Sequence, residues 1–205
     1  MAARRIKLST ILSGILLAGL VLLAWTQPWF ELVIRLPQGG TTTVTAAGDV
    51  AGGALSALSL ASLALFAALT IAGRIFRIVL GVLQTLLGLS IALSAGTALA
   101  DPVAASGTPI TSATGVAGAD SLADLVDSVT ATAWPWVALV VGVAAGLLGI
   151  AVVAFSGLWP QATRKYSATR LVAADPAADP AAAWDTLSDG DDPTEEGPDG
   201  PGPSR

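Results

Sequence analysis

The 205-residue chain contains no cysteine and no histidine, and only 12% of its residues are charged. These absences exclude disulfides, thiolate nucleophiles and imidazole acid–base chemistry, and they remove the usual ligands of zinc. Soluble domains usually carry about 25% charged residues. The low proportion of charged residues therefore indicates that much of the chain lies in apolar surroundings. No catalytic residue, cofactor or metal site is expected, and with no basic stripe no nucleic-acid partner is expected either.

Four apolar segments are each long enough to cross a bilayer as a helix, which takes roughly 20 residues. None has a charged side chain in its interior, and a backbone in lipid must satisfy its own polar groups, which favours helix. We predict an all-α membrane protein, a four-transmembrane-helix bundle with an outer β-hairpin loop and a disordered C-terminal tail. The predicted segments are a cytoplasmic N-terminus at 1–7, spans at 8–25, 53–73, 78–100 and 135–159, outer loops at 26–52 and 101–134, a cytoplasmic turn at 74–77 and an acidic cytoplasmic tail at 160–205.

The basic residues predict the orientation of the four spans. Lys and Arg collect on the cytoplasmic side of membrane proteins, and in a four-span chain nearly all basic residues near the spans share one side. They are Arg4, Arg5, Lys7, Arg74, Arg77, Arg164, Lys165 and Arg170. Both termini are therefore expected in the cytoplasm, at the cell membrane. A cleaved signal peptide is the alternative for the first segment, but its long apolar run ends in Trp25 without a small-residue cleavage site.

The two outer loops have different patterns. Phe30, Leu32, Ile34 and Leu36 alternate with less apolar residues, and the turn-forming residues at 37–40 follow, which predicts a β-hairpin. The first half of the second loop is expected to be irregular. In its second half Leu122, Leu125, Val126 and Val129 recur at helical spacing, and Ser121 with Asp124 fits a capping box. A short amphipathic helix is predicted there, as a connector or as a docking element.

Small residues at four-residue spacing predict how the spans pack, since lipid gives helices no hydrophobic reason to associate. The pairs or sets are Gly14 with Ala18, Ala57 with Ala61, Gly88 with Ala92 and Gly96, and Gly142 with Gly146. The same faces would also suit a homo-oligomer. Gln84 is the most polar residue within a span, and it is either an interhelical hydrogen-bonding group or a substrate contact.

Tryptophan residues cluster at the predicted membrane boundaries. Trp25, Trp29, Trp134 and Trp136 all fall at the outer boundary, where amphipathic rings commonly anchor a protein in the headgroup layer. Anchoring explains them all. An outer aromatic site for a planar ligand is the alternative interpretation.

The C-terminal tail is acidic and rich in proline, a composition that cannot bury enough apolar area to fold alone. Nine of the fifteen acidic residues lie in the last thirty-five positions. Trp184 and Leu187, three residues apart and ringed by acids, interrupt this composition. They are either a short motif that docks a cytosolic protein partner or chance apolar residues in a solvated tail.

Several local motifs together resemble one protein family. Gln27-Pro28-Trp29 ends the first span, Trp159-Pro160 leads into Arg164-Lys165-Tyr166, and the tail carries Trp184-Asp185-Thr186-Leu187 and Gly190-Asp191-Asp192-Pro193-Thr194. In this the chain resembles the tryptophan-associated transmembrane proteins of actinobacteria, also called Trp biosynthesis-associated membrane proteins. The resemblance implies an association with tryptophan biosynthesis, and it carries over no functional residue.

Two functions are compatible with these patterns. The first is a non-catalytic accessory or scaffold protein in the lipid bilayer whose tail docks a cytosolic partner. The alternative is an uncoupled facilitator or exporter of tryptophan, indole or a related aromatic; ion coupling would need charged groups inside the membrane, and the spans have none.

Overall fold

A computed structural model describes residues 2–156 of the chain, with side chains from residue 7 onward. The described part is mostly helical and holds one small sheet. The elements in chain order are α1 (Ala2–Trp25), β1 (Pro28–Arg35), β2 (Thr41–Ala47), α2 (Gly48–Ala51), α3 (Leu55–Leu69), α4 (Arg74–Ala100), α5 (Pro102–Ala105), α6 (Gly107–Thr114), α7 (Ala119–Leu125), β3 (Val126–Ala131) and α8 (Trp134–Phe155).

Three of the described helices, α1, α4 and α8, are long and apolar enough to cross a membrane. The fourth predicted span corresponds to α3, which has 15 residues. Such a helix is about 22 Å long, whereas the hydrocarbon core is about 30 Å thick. Helix length therefore does not establish that the chain crosses the membrane four times. Helix α4 begins at Arg74, so the predicted turn at 74–77 is wrong, and the turn lies at 70–73 instead.

The three long helices α1, α4 and α8 expose many of their large apolar side chains. On α4 the buried face includes Gly81, Gln84 and Gly88. The exposed face of the same helix is formed by Ile78, Val79, Val82, Leu83, Leu86, Leu89 and Leu93. In water such a face would be an unusually large apolar patch, whereas in lipid it is the ordinary outer surface of a span. The distribution indicates that a bilayer surrounds this bundle.

Helices α4 and α8 pack on each other through the glycines that the small-residue spacing had identified on each of them. A Cβ atom on Gly88 would lie 2.2 Å from the backbone nitrogen of Gly146, and one on Gly142 would lie 2.6 Å from the backbone nitrogen of Ala92. The two backbones are thus in direct contact. On α1 the absent side chain of Gly14 leaves room for the ring of Phe66 from α3, and Ala18 is buried.

The predicted packing face of α3 is wrong. Ala57 and Ala61 are exposed, and the buried face holds Ser59, Ser62 and Phe66 instead. The reason is the fit between α1 and α3: the small residue stands on α1 and the large ring on α3, so α3 needs no small face of its own toward α1.

The predicted β-hairpin is confirmed, and it gains a third strand. β1 pairs antiparallel with β2, and Gly39 and Gly40 close the turn with positive φ angles, which glycine adopts without strain. β1 also pairs antiparallel with β3, giving the strand order β2-β1-β3. The alternation was predicted correctly, because Phe30, Leu32 and Ile34 are fully buried.

The second outer loop differs from its prediction in both halves. The expected irregular segment forms α5 and α6, and the carboxylate of Asp101 caps α5 by accepting a hydrogen bond of 3.0 Å from the backbone of Ala104. The predicted amphipathic helix ends at Leu125, and Val126 and Val129 belong to strand β3. No side chain caps α7, whose N-cap residue is Gly118, so the capping box is wrong as well.

Candidate functional site

The four outer tryptophans occupy three different environments. Trp29 is completely buried, and its indole nitrogen donates a hydrogen bond of 2.8 Å to the carbonyl oxygen of Ala24. Trp25 and Trp134 are partly buried against the same core. Trp136 is 55% exposed on α8. Trp29, Trp25 and Trp134 thus share one apolar core, and Trp136 is the most exposed of the four rings.

The aromatic contact that does form involves a different partner. Among the described side chains, one ring pair occurs, between Trp29 and Phe30, edge to face with their centroids 6.3 Å apart. Both rings lie in an apolar core that continues from the sheet into the helices, where it includes Val21, Ala95 and Val141. The sheet is therefore packed onto the ends of the helices through a shared apolar core.

Basic side chains meet at the opposite end of the bundle. The ammonium group of Lys7 on α1 donates a hydrogen bond of 2.7 Å to the carbonyl oxygen of Thr70 at the end of α3. Arg77 on α4 is 3% exposed, and its Nε atom donates to the carbonyl oxygen of Ala72 over 3.0 Å. These contacts join α1, α3 and α4 around the turn at 70–73.

The buried faces of α3 and α4 carry polar oxygen atoms without a hydrogen-bond partner among the described residues. Gln84 on α4 is 1% exposed and Ser62 on α3 is 2% exposed. Neither the Oε1 atom of Gln84 nor the Oγ atom of Ser62 has a partner among the described residues. By contrast, the hydroxyl of Ser59 donates to the carbonyl oxygen of Ser56 over 2.9 Å. The interhelical hydrogen bond expected of Gln84 through its carbonyl oxygen is thus not formed.

An apolar groove opens between α3 and α4. Its volume is about 540 Å³. Its lining comes from both helices, with Ala61, Ala64, Leu65 and Ala68 on the α3 side and Leu80, Leu83, Leu86, Leu87 and Ser90 on the α4 side. The sequence had assigned Ala61 to packing between helices, and in the structure that residue lines this groove.

Two predicted docking residues, Trp184 and Leu187, lie outside the described residues. Sequence analysis missed Ser62 and the burial of Arg77. A signal for Ser62 was present, since Ser59, Ser62 and Phe66 recur at helical spacing on one face of α3. No comparable sequence pattern indicated that Arg77 is buried, because a basic residue next to a membrane span is usually solvated.

Comparisons with known proteins give a family and nothing finer. Neither a search of curated proteins nor a search of solved structures found a match. The sequence model of the tryptophan-associated transmembrane proteins matches residues 11–194, which is most of the chain. Together with its apolar helices, this match means that the protein belongs to the family of tryptophan-associated transmembrane proteins.

Proposed function

We propose that the protein is a non-catalytic accessory protein of the cell membrane that holds a partner of tryptophan biosynthesis at the inner face of the bilayer. The observation that carries the proposal is the way in which the described bundle is filled. Backbone contact between α4 and α8 and the apolar core under the sheet use the interior for packing. A bundle of this kind serves well as an anchor, and an uncoupled facilitator would need a passage instead.

The proposal includes four spans with both termini in the cytoplasm. The hydrogen bond from Lys7 to Thr70 supports it, because it sets the end of α3 level with the start of α1. At the other end, the backbone nitrogen of Gly48 donates to the carbonyl oxygen of Gln27 over 2.9 Å, just after α1 ends. The chain from Gly48 to Thr70 therefore runs beside the part of α1 from Lys7 to its end, although its regular helix is short.

Cysteine labelling tests this topology, and the chain has no native cysteine to interfere. Thr43 in β2 and Ile71 in the turn after α3 are both exposed. In intact cells we expect a membrane-impermeant maleimide to label Thr43→Cys and to leave Ile71→Cys unlabelled. Permeabilised cells, in which both variants should react, are the control. Labelling of both variants in intact cells would mean that α3 does not cross the membrane, and the reverse pattern would mean the opposite orientation.

The tail is the proposed docking element. The family match extends to residue 194 and so includes Trp184 and Leu187, which supports a role in the family over chance apolar residues. An aromatic and a leucine three residues apart can form one face of a short helix that folds onto a groove of the partner. The acidic neighbours Asp185 and Asp189 would favour a basic rim around that groove.

Docking predicts a specific loss of co-purification. We expect the tagged full-length protein, taken from its native host, to enrich an enzyme of tryptophan biosynthesis. The double variant Trp184→Ala, Leu187→Ala should reduce this enrichment about tenfold or more, since two anchor side chains usually contribute over 1 kcal/mol each. Quantitative mass spectrometry measures the effect. The matched control is Thr186→Ala, Ser188→Ala, which changes polar neighbours in the same segment; equal enrichment by all three proteins would contradict docking through this motif.

A further inference from the structure

The unpartnered polar atoms of Gln84 and Ser62 carry an inference about ligand binding that is independent of the tail. A buried carbonyl or hydroxyl oxygen without a hydrogen bond destabilises a protein, because it has lost its bonds to water, and in lipid no bulk water replaces them. Serine in a helix usually satisfies its hydroxyl on a carbonyl of the preceding turn, as Ser59 does. Ser62 does not, so its hydroxyl remains available for another partner.

The two side chains are placed at a similar depth. Ser62 stands seven positions before the last residue of α3, Leu69, and Gln84 stands ten positions after the first residue of α4, Arg74. At about 1.5 Å per residue, the two residues lie about 10 and 15 Å along their helices from the turn. Both belong to the buried faces of their helices. The two hydrogen-bonding groups thus stand on the buried faces of neighbouring helices, at depths that differ by about one helical turn.

The chemistry of these groups defines what they can bind. The carbonyl oxygen of Gln84 only accepts, so a ligand must donate an N–H or O–H group to it, whereas the hydroxyl of Ser62 can donate or accept. Neighbouring buried residues such as Phe66, Leu65 and Ile91 are apolar. A charged or zwitterionic ligand at this depth would leave its charges uncompensated. We propose that Gln84 and Ser62 form an intramembrane binding site for a small neutral molecule that donates a hydrogen bond.

On this proposal the molecule would enter from the bilayer through the groove between α3 and α4, although neither Ser62 nor Gln84 itself lines that groove. Its lining includes Leu65 and Leu87, each one turn along the helix from Ser62 and Gln84 respectively. An apolar groove open to lipid admits neutral, partly apolar molecules and rejects ions. Water and a small aromatic with an N–H group share the required chemistry, and experiment distinguishes them.

Binding of radiolabelled indole to the full-length protein in nanodiscs tests for an organic ligand, with empty nanodiscs correcting for partition into lipid. We expect saturable binding that 1-methylindole, which lacks the N–H donor, does not displace. Gln84→Met keeps the approximate shape of the side chain but removes the acceptor. It should weaken binding about tenfold, the value of one good hydrogen bond. Ser62→Ala should weaken binding, and Ser59→Ala, which removes a hydroxyl already bonded within its own helix, should not.

A second measurement covers the case in which water is the occupant. The chain contains four glutamines, so the side-chain amide signal of Gln84 can be assigned by its loss in Gln84→Met. A nuclear Overhauser contact between that amide and a long-lived water, without indole binding, supports the site with water in it. Three outcomes overturn the proposal: neither ligand detected, displacement by 1-methylindole as effective as by indole, or equal effects of Ser59→Ala and Ser62→Ala. Thermal melting of each variant confirms that it is folded.

Discussion

Gly88→Ala is expected to lower the free energy of unfolding by about 3 kcal/mol, a loss at the upper end of those that overpacking usually causes. The added Cβ would lie 2.2 Å from the nitrogen and 2.6 Å from the Cα atom of Gly146. Those are backbone atoms, which cannot rotate away as a flexible side chain would. Helices α4 and α8 would have to separate, and the contacts along their whole length would weaken. Reversible unfolding in mixed micelles, followed by circular dichroism, measures the change.

Gly146→Ala provides a matched control on the facing helix. The nearest atom to its added Cβ is the carbonyl oxygen of Thr85, at 3.7 Å, which is ordinary van der Waals contact. We expect this variant to unfold within about 1 kcal/mol of the wild type, since alanine also has the better helix propensity. Equal destabilisation by the two substitutions would mean that the interface does not have this geometry, and an unaffected Gly88→Ala would mean that α4 and α8 are not in backbone contact.

The contrast between these two glycines indicates how far a small-residue pattern can be interpreted. The spacing of Gly88 and Ala92 and that of Gly142 and Gly146 identified the faces through which α4 and α8 pack, but it did not pair these two helices with each other. It could not tell which glycine leaves no room for a Cβ atom and which leaves room for one, because that depends on the rotation of both helices. The same limit explains the error on α3: Ala57 and Ala61 fit the pattern, but Phe66 fits the space beside Gly14.

The strands also differ in how well the sequence predicts them, because β2 is close to its partner β1 in the chain and β3 is far from it. The hairpin of β1 and β2 was predictable because its alternation and its turn stand within a few residues of each other. β3 pairs with β1 from about 100 positions away, as in the register of Leu32 with Val129. No local pattern specifies such a partner. The spacing of Val126 and Val129 matched a helix equally well, and pairing with β1 decides in favour of a strand.

The candidate site was predictable to a similar extent. Gln84 was noticed because an amide is rare in an apolar segment, but its lack of a partner depends on what α3 places opposite, and Ser62 was not singled out. Trp29 was grouped with three other boundary tryptophans because composition alone cannot distinguish a ring in the headgroup layer from a ring beneath a sheet. The two kinds of ring differ in how deeply they are buried, and this difference in burial can be tested by measuring the stability of tryptophan variants.

Trp29→Ala is expected to cost about 4 kcal/mol of stability, the usual range for removing a buried tryptophan. The ring is fully buried, and the substitution also leaves the carbonyl oxygen of Ala24 without its indole donor. Gly48 adds a structural reason: a Cβ there would lie 2.6 Å from the indole nitrogen of Trp29, so the chain is shaped around this ring. Hydrogen exchange of the β1 amides and thermal melting would both report the loss.

Trp29→Phe and Trp136→Ala separate the contributions to this effect. The first keeps most of the buried ring and removes only the donor and part of the area, so a loss of about 1–2 kcal/mol is expected. The second removes a ring that is 55% exposed, and it should change the unfolding free energy by less than about 1 kcal/mol. If Trp29→Ala and Trp136→Ala destabilised the protein equally, both rings would be membrane anchors. The sheet would then not be packed onto the helix ends through Trp29. A large effect of Trp29→Ala alone, with protection lost first in β1, is the result that a shared core beneath the sheet requires.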